Sequence, residues 1–368
     1  MRICHVTTHH PPDDVRIVVR ECATLAAAGH EVHVVARVEE PSQRDGISFH
    51  PLGEVAAAPG LRNLAGRLRA ALAAARAVGA AAYHLHDPEL LPLAAVLKAR
   101  RARVVYDAHE DTPNEVLDLS PSRLARPLSL GWRLAEGAAG RLVDGVVAAT
   151  PQIARRFPTG KTVLVRNFPV RDEADRFLGP PLREREPLAV YLGAISARRG
   201  AHALVAVAER LATPGARVVL AGPFQPPALR DELVGLAGWS RVEEAGRATR
   251  EGAAAVLRRA SVGLVTLPPL PTHVEALPVK LFEYMAAGLP VVASDFPRWR
   301  EIVAGAGCGV LVDPDDTPAV AAAVDRLLAD PEEAERLGAN GRGAFEQTYN
   351  WDAEGARLLE LYARLDRR

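Results

Sequence analysis

Cysteine is scarce in this chain. Cys4, Cys22 and Cys308 are odd in number and far apart, which excludes a disulfide framework and leaves no metal-ligand spacing among them. Excess charge of either sign is also missing, since 45 Lys+Arg balance 45 Asp+Glu. A dedicated nucleic-acid binder, which usually carries a basic surplus, is therefore disfavoured. The balance conceals +4 over residues 1–170 and −4 over the rest. No apolar run approaches the roughly 20 residues of a membrane span. Met1-Arg2-Ile3-Cys4-His5-Val6 reads as a first strand, not a signal peptide, so a cytoplasmic location is the simplest expectation.

Several motifs are absent as well. Thr7-Thr8-His9-His10-Pro11-Pro12-Asp13-Asp14-Val15-Arg16 has no Gly-x-Gly-x-x-Gly pattern, and Gly305-Ala-Gly307-Cys-Gly309 precedes a strand where a dinucleotide site would join strand to helix. With no Gly-x-Ser-x-Gly, P-loop or His-Glu-x-x-His, the hydrolase, P-loop NTPase and zincin readings fall away.

What is present is an alternation of strand and helix signals. Ile3–Thr7, Glu31–Ala36, Tyr83–His86, Val104–Asp107, Val146–Ala149 and Val163–Val165 read as buried strands. Val15, Val18, Val19, Cys22, Leu25 and Ala26 recur at helical spacing up to Gly29. The charged, proline-rich stretch 170–187 reads as a linker. The rhythm restarts with Leu188–Leu192, Val218–Ala221, Val262–Leu267, Val291–Ser294 and Val310–Val312. With 368 residues, two cores are expected. The predicted fold is α/β: two Rossmann-like, doubly wound parallel-sheet domains, 1–172 and 186–350, facing a central cleft. An amphipathic helix over 351–366 is expected to pack back on the first domain.

The richest stretch is Glu275-Ala-Leu-Pro-Val-Lys-Leu-Phe-Glu283-Tyr-Met-Ala-Ala-Gly288-Leu-Pro-Val-Val-Ala-Ser-Asp295. Pro278 suits the first turn of a short helix and Gly288 its C-terminal cap. The free N–H groups at the start of that helix, together with the Lys280 charge, suit a phosphate. Two flanking carboxylates can hold hydroxyl groups, so a nucleotide sugar fits. Tyr191-Leu-Gly193-Ala-Ile-Ser-Ala-Arg-Arg199-Gly200 could aim a second cation at the same place, although such a helix start is ordinarily solvated surface.

In the first half, His86-Asp87-Pro88 and Tyr106-Asp107-Ala108-His109-Glu110-Asp111 end neighbouring strands, where ligand contacts are expected. His84, His86, Asp87 and His109 could supply metal ligands but lack the local spacing of a zinc motif, and no metal is assigned. Between Glu54 and Asp87 there is no acidic residue. Arg62, Arg67, Arg69 and Arg76 there punctuate Leu61, Leu64, Leu68 and Leu72. This basic amphipathic helix suits anionic lipid headgroups, or is an ordinary surface helix; Arg123–Arg133 is similarly ambiguous.

Over nearly its whole length the chain resembles the retaining glycosyltransferases of family 4, which have the GT-B fold. Glu275 and Glu283 match the family's signature of two glutamates separated by seven residues. Supporting matches are Asp14-Val-Arg-Ile, Leu-Ala-Ala-Ala-Gly29-His-Glu-Val, Tyr106-Asp-Ala-His109-Glu, Val165-Arg-Asn167 and Arg199-Gly200. The resemblance implies a hexosyltransferase that moves sugar from a UDP, GDP or dTDP donor to an acceptor hydroxyl, with no cofactor and no metal. Glu283 would hold the donor ribose and Glu275 the transferred sugar. Arg199, Lys280, Gly193 and the backbone of Leu277, Pro278 and Val279 would take the diphosphate. His109 would approach the donor sugar, and Asp14 and Arg16 would make acceptor-side or closure contacts. Many relatives carry Arg where this chain has Ala194, and Lys280 is the residue expected to supply that charge. The acceptor would be a lipid-linked envelope glycan, met at the inner membrane face, or a small natural product. A nucleotide-sugar epimerase and a non-catalytic nucleotide-binding protein are the competing readings.

Overall fold

The computed structural model describes residues 1–53, 61–119, 122–246 and 249–367, and only the backbone of Leu61 and Arg62. Glu54 and the Arg62 side chain therefore lie outside the described residues. The chain divides into two compact units, 1–167 with 351–368, and 168–350.

Among the described residues, the first unit holds an eight-stranded sheet: β1 (Arg2–Val6), β2 (Glu31–Ala36), β3 (Ser42–Arg44), β4 (Ile47–Pro51), β5 (Ala82–Leu85), β6 (Arg103–Ala108), β7 (Gly145–Ala148) and β8 (Thr162–Leu164). Their order is β3-β4-β2-β1-β5-β6-β7-β8, parallel except for the β3–β4 hairpin. The order reverses beside β1, so the first unit's switch point lies between the ends of β1 and β5.

Helix Trp351–Asp366 belongs to this unit. Its Glu354 pairs with Arg166 at 2.5 Å, and Trp351 Nε1 donates to Thr24 Oγ1 at 2.8 Å. The segment after β1 departs from the expected helix. Val15–Cys22 is π-helical, with both Val18 and Val19 N–H groups reaching the Asp14 carbonyl. The wider turn swings Arg16, Arg20 and Glu21 inward and leaves Val15, Val18 and Val19 half-buried, because the charged groups find partners inside.

The second unit holds β9 (Leu188–Leu192), β10 (Arg217–Ala221), β11 (Val242–Gly246), β12 (Val262–Val265), β13 (Val291–Ser294) and β14 (Gly309–Val312). Among the described residues they form one parallel sheet in the order β11-β10-β9-β12-β13-β14. Its switch point lies between β9 and β12. Helix Val279–Ala286 is clamped there by Tyr284, whose Oη accepts from Leu192 N–H at 2.9 Å and donates to the Val190 carbonyl at 3.0 Å. Gly263 makes room, since a Cβ at that position would stand 2.3 Å from the Tyr284 ring.

The stretch 170–187 is not a free linker. Phe168, Phe177 and Leu182 are buried in the second unit's core, and Phe168 packs on Phe282 with ring centres 4.5 Å apart. Most of its charges sit outside while its sparse apolar residues anchor it.

Candidate active site

In the second unit the loop after β9 and the start of helix Val279–Ala286 meet at the switch point. Gly193 has φ +105°, and a Cβ there would lie 3.6 Å from Lys280 Nζ and 3.9 Å from an Arg199 nitrogen. Lys280 is 7% exposed, and its Nζ lies 3.3 Å from the centre of the Tyr191 ring. Among the described residues that ammonium has no hydrogen-bond partner. Burial, then the nearby Arg199 charge, push its pKa well below the usual lysine value, against the opposing pull of Glu283. Pro278 caps the helix in extended conformation with no side-chain cap, which leaves the first N–H groups free for a ligand.

The geometry thus gathers Gly193, Arg199, Lys280, Glu283 and the Pro278–Val279 turn. Glu275 ends the preceding turn, Pro271–Val274, half-buried with its carboxylate 3.9 Å from Arg298. Leu277 packs against the core. Two side chains went unnoticed in the sequence. Tyr191 supplies the face beneath Lys280, and its place as the last-but-one residue of a strand was the available signal. Arg250, partnered by Glu173, is desolvated and feels the Glu283 charge.

In the first unit the strand ends carry a buried polar network centred on Asp107. Arg16 grips that carboxylate with Nε and Nη2 at 2.9 and 2.8 Å and donates from Nη1 to the Val165 carbonyl at 3.0 Å. His86 Nδ1 bonds to Asp107 at 3.0 Å. His109 Nδ1 lies 2.9 Å from the same carboxylate, too oblique for a hydrogen bond. Desolvation opposes the Asp107 charge, but Arg16 and the histidines outweigh it and hold the group well below the usual range.

His10 Nε2 is 3.1 Å from His109 Nε2. Burial disfavours a charge on His10, yet Asp14, with Asp87 and Glu110, lifts it to about 8, while Asp14 falls to about 2. Asp14 also caps Ile17 N–H at 2.9 Å. Arg16, expected to make acceptor-side or closure contacts, is 4% exposed, with its guanidinium engaged by Asp107 and the Val165 carbonyl.

The lipid-surface reading shifts as well. Leu68 and Leu72 of helix Leu61–Val78 pack on the core, and Arg67 is neutralised by Glu89 through bonds of 3.1 and 2.9 Å. Helix Ala125–Leu142 and its lead-in instead expose Leu124, Leu128, Leu130 and Leu134, all at least half accessible. Beside it a cavity of about 640 Å³ is lined by Leu64, Leu91, Trp132 and Ala139, with Arg67 and Glu89 at its polar part.

Two doubly wound sheets, one with a cationic cradle at its switch point, define the class as the two-domain GT-B fold. Sucrose-phosphate synthase from Thermosynechococcus elongatus has this fold at TM-score 0.80 and 22% identity, covering 100% of this chain and 99% of that one. Anabaena HepE in complex with UDP and glucose matches at TM-score 0.70 and 14% identity, covering 99% and 100%. Residues 15–167 match the family described as glycosyl transferase 4-like domain, and residues 174–344 that of glycosyl transferases group 1. The chain belongs to the family 4 glycosyltransferases of the GT-B fold.

The alpha-D-kanosaminyltransferase of Streptomyces kanamyceticus is 31% identical over 49% of this chain and 48% of its own length. The alpha-maltose-1-phosphate synthase of Mycobacterium tuberculosis is 32% identical over 49% and 48%. A GDP-mannose-dependent phosphatidylinositol monomannoside mannosyltransferase of Mycolicibacterium smegmatis is 28% identical over 63% and 67%. The matches to the first two relatives span about half of their length.

Proposed function

We propose that this protein transfers a hexose-type sugar from a nucleoside diphosphate to an acceptor hydroxyl, with retention at the anomeric carbon. The observation that carries this reading is the Lys280 ammonium, buried without a hydrogen-bond partner among the described residues, beside Gly193 and a helix N-terminus. A desolvated cation there gains a partner when a diphosphate binds. Preorganised charge of this kind stabilises the leaving group more than water could. Arg199 adds to the same field.

Glu283 is assigned to the ribose hydroxyls, Glu275 to the transferred sugar and His109 to the donor sugar, roles that rest on the family resemblance. The acceptor oxygen bonds to the anomeric carbon on the face from which the phosphate oxygen departs. The acceptor proton passes to that phosphate oxygen, so no side chain serves as covalent nucleophile and no metal is required for transfer.

The acceptor we assign is one with an apolar portion, a lipid-linked saccharide or a hydrophobic natural product. The cavity beside Trp132 and the exposed leucines of helix Ala125–Leu142 support it. Arg123, Arg126 and Arg133 lie on and just before the same helix and suit an anionic lipid surface. Among the described residues no helix is long and apolar enough to cross a membrane.

A thermal-shift panel of UDP, GDP and dTDP tests the donor. A ligand at one hundred times its dissociation constant stabilises by about 2.7 kcal/mol. Product analysis with each matching nucleotide sugar, with and without acceptors, tests the reaction. Acceptor-dependent nucleotide release is expected. Sugar interconversion without acceptor would instead support an epimerase, and no shift with any nucleotide would remove the donor site.

A further inference from the structure

One cluster is left unused by this chemistry. His84 and His86 are two residues apart on a buried strand, so both rings leave the same face of the sheet. His5 lies in register with His84 on neighbouring β1. The ring centres are 4.6 Å apart for His84–His86, 4.7 Å for His5–His84 and 5.1 Å for His5–His86. The π-helical turn lays Glu21 over them. All four residues are at most 1% exposed.

We propose that His5, His84, His86 and Glu21 form a binding site for one divalent transition-metal ion of the zinc type, structural in role. One ligand atom from each residue falls within 4.8 Å of the others. Among the described residues, His5 Nε2, His84 Nε2 and both Glu21 oxygens are buried with no hydrogen-bond partner, although Glu21 Oε1 lies 3.3 Å from the Arg16 guanidinium. Buried polar atoms without hydrogen bonds on three neighbouring elements are rare in native cores, because their desolvation is poorly repaid. A cation would satisfy them together.

The outer contacts fit as well. His86 Nδ1 is bonded to Asp107 at 3.0 Å and His84 Nδ1 to Tyr362 Oη at 3.1 Å, with Glu21 3.7 Å from that same His84 nitrogen, so Nε2 is the nitrogen each of these rings has left for an ion. Metal-bound histidines are oriented through their second nitrogen in this way. His86 Nε2 and His5 Nδ1 share a hydrogen bond of 2.9 Å, closer than the edge near 3.3 Å that Zn–N of about 2.0 Å gives two nitrogens on one tetrahedral ion, so metal binding would displace that bond and part the rings slightly. Burial keeps His5 and His84 neutral, the form that ligates. Once Glu21 gives up its proton to the ion, Glu21 and Asp107 against Arg16 leave one net negative charge beside it. Three imidazoles and a carboxylate select zinc, cobalt, nickel or copper over magnesium or calcium. The site lies in the first unit, whereas the Lys280 cradle is in the second.

The experiment uses the full chain without an affinity tag. Elemental analysis of protein as isolated, then Co²⁺ titration after chelator treatment, should give one equivalent and the visible d–d absorption of a tetrahedral nitrogen–oxygen site. His84→Gln and Glu21→Gln should each weaken Co²⁺ binding about 100-fold or more. His33→Gln, on the other side of β2, should leave it unchanged. Zinc should raise the melting temperature of the wild type and not of His84→Gln. A wild-type protein that holds no metal as isolated and develops no Co²⁺ spectrum overturns the proposal, whatever the variants do. So does a Co²⁺ spectrum that survives both substitutions. Either result would leave the cluster a neutral histidine stack with a protonated Glu21.

Discussion

Lys280 Nζ stands 3.3 Å above the Tyr191 ring while Tyr284, one turn further along the same helix, bonds to both Leu192 N–H and the Val190 carbonyl. The two tyrosines fix the helix start against the end of β9. Lys280 therefore has little freedom to leave the place where an anion is expected.

Replacing Lys280 with Met keeps the stem's packing and removes the charge. Nucleotide affinity should fall and kcat should drop on the order of 100-fold, the usual effect of deleting one preorganised donor. Folding stability should hold or rise, since a desolvated ammonium is lost. Steady-state kinetics with calorimetric nucleotide binding checks this, and unchanged donor affinity would remove Lys280 from the site.

The same residue makes a pH prediction. In the free protein its pKa is held well below the ordinary lysine value, first by burial and then by Arg199. A bound diphosphate favours the charged form and raises that pKa. At pH above the free-state value, nucleotide binding must therefore take up a proton, and affinity must weaken as pH rises. Calorimetry in buffers of different ionisation enthalpy measures the uptake. Lys280→Met should abolish it.

Asp107→Asn should destabilise the first unit by about 3–5 kcal/mol, because it leaves the buried Arg16 guanidinium without its carboxylate. Asp107 has a depressed pKa, so its contribution is present above the unfolded carboxylate value and is lost only as pH falls toward the depressed one. Glu21 runs the other way. Its pKa is raised first by burial and then by Asp107, so in metal-free protein stability declines as pH climbs above the unfolded glutamate value, about 4.3. Denaturant titrations across pH of chelated wild type and Glu21→Gln separate the two, the latter losing the decline.

Gly222→Ala probes the loop from behind. A Cβ at Gly222 would stand 2.0 Å from the Gly193 carbonyl oxygen, a clash with backbone that cannot rotate away. A loss of about 1–3 kcal/mol is expected, with weaker nucleotide binding as Gly193 is pushed toward Lys280. Unaltered affinity in a folded variant would show that the Gly193 loop does not contact the nucleotide.

Much of the second unit was legible because its signals are local. Gly288, at φ +66°, ends helix Val279–Ala286 where the cap was read, and β9, β10, β12, β13 and β14 fall on the apolar runs. Two of the missed strands, Ser42–Arg44 and Val242–Gly246, are polar edges, whereas Ile47–Pro51 lies inside the sheet with Ile47 and Phe49 buried and is short. Ser42–Arg44 and Ile47–Pro51 form or flank a hairpin around Asp45-Gly46, and Val242–Gly246 is an edge strand carrying Glu243 and Glu244. Polar edge strands lose the apolar signal that marks buried ones. The 170–187 stretch misled for the opposite reason, since its few apolar residues bury while its charges dominate the composition.

By itself the sequence determined the two doubly wound sheets, the helix that presents Lys280 and the spacing of Glu275 and Glu283, because periodicity, caps and turns act within a few residues. Only the tertiary structure decided which charges go inside. Arg16 and Glu21 turn inward because Asp107, 91 residues beyond Arg16, and the histidines of β1 and β5 are waiting there. Burying a charge is favourable only when a partner meets it, and those partners arrive through strand register, which no local pattern encodes.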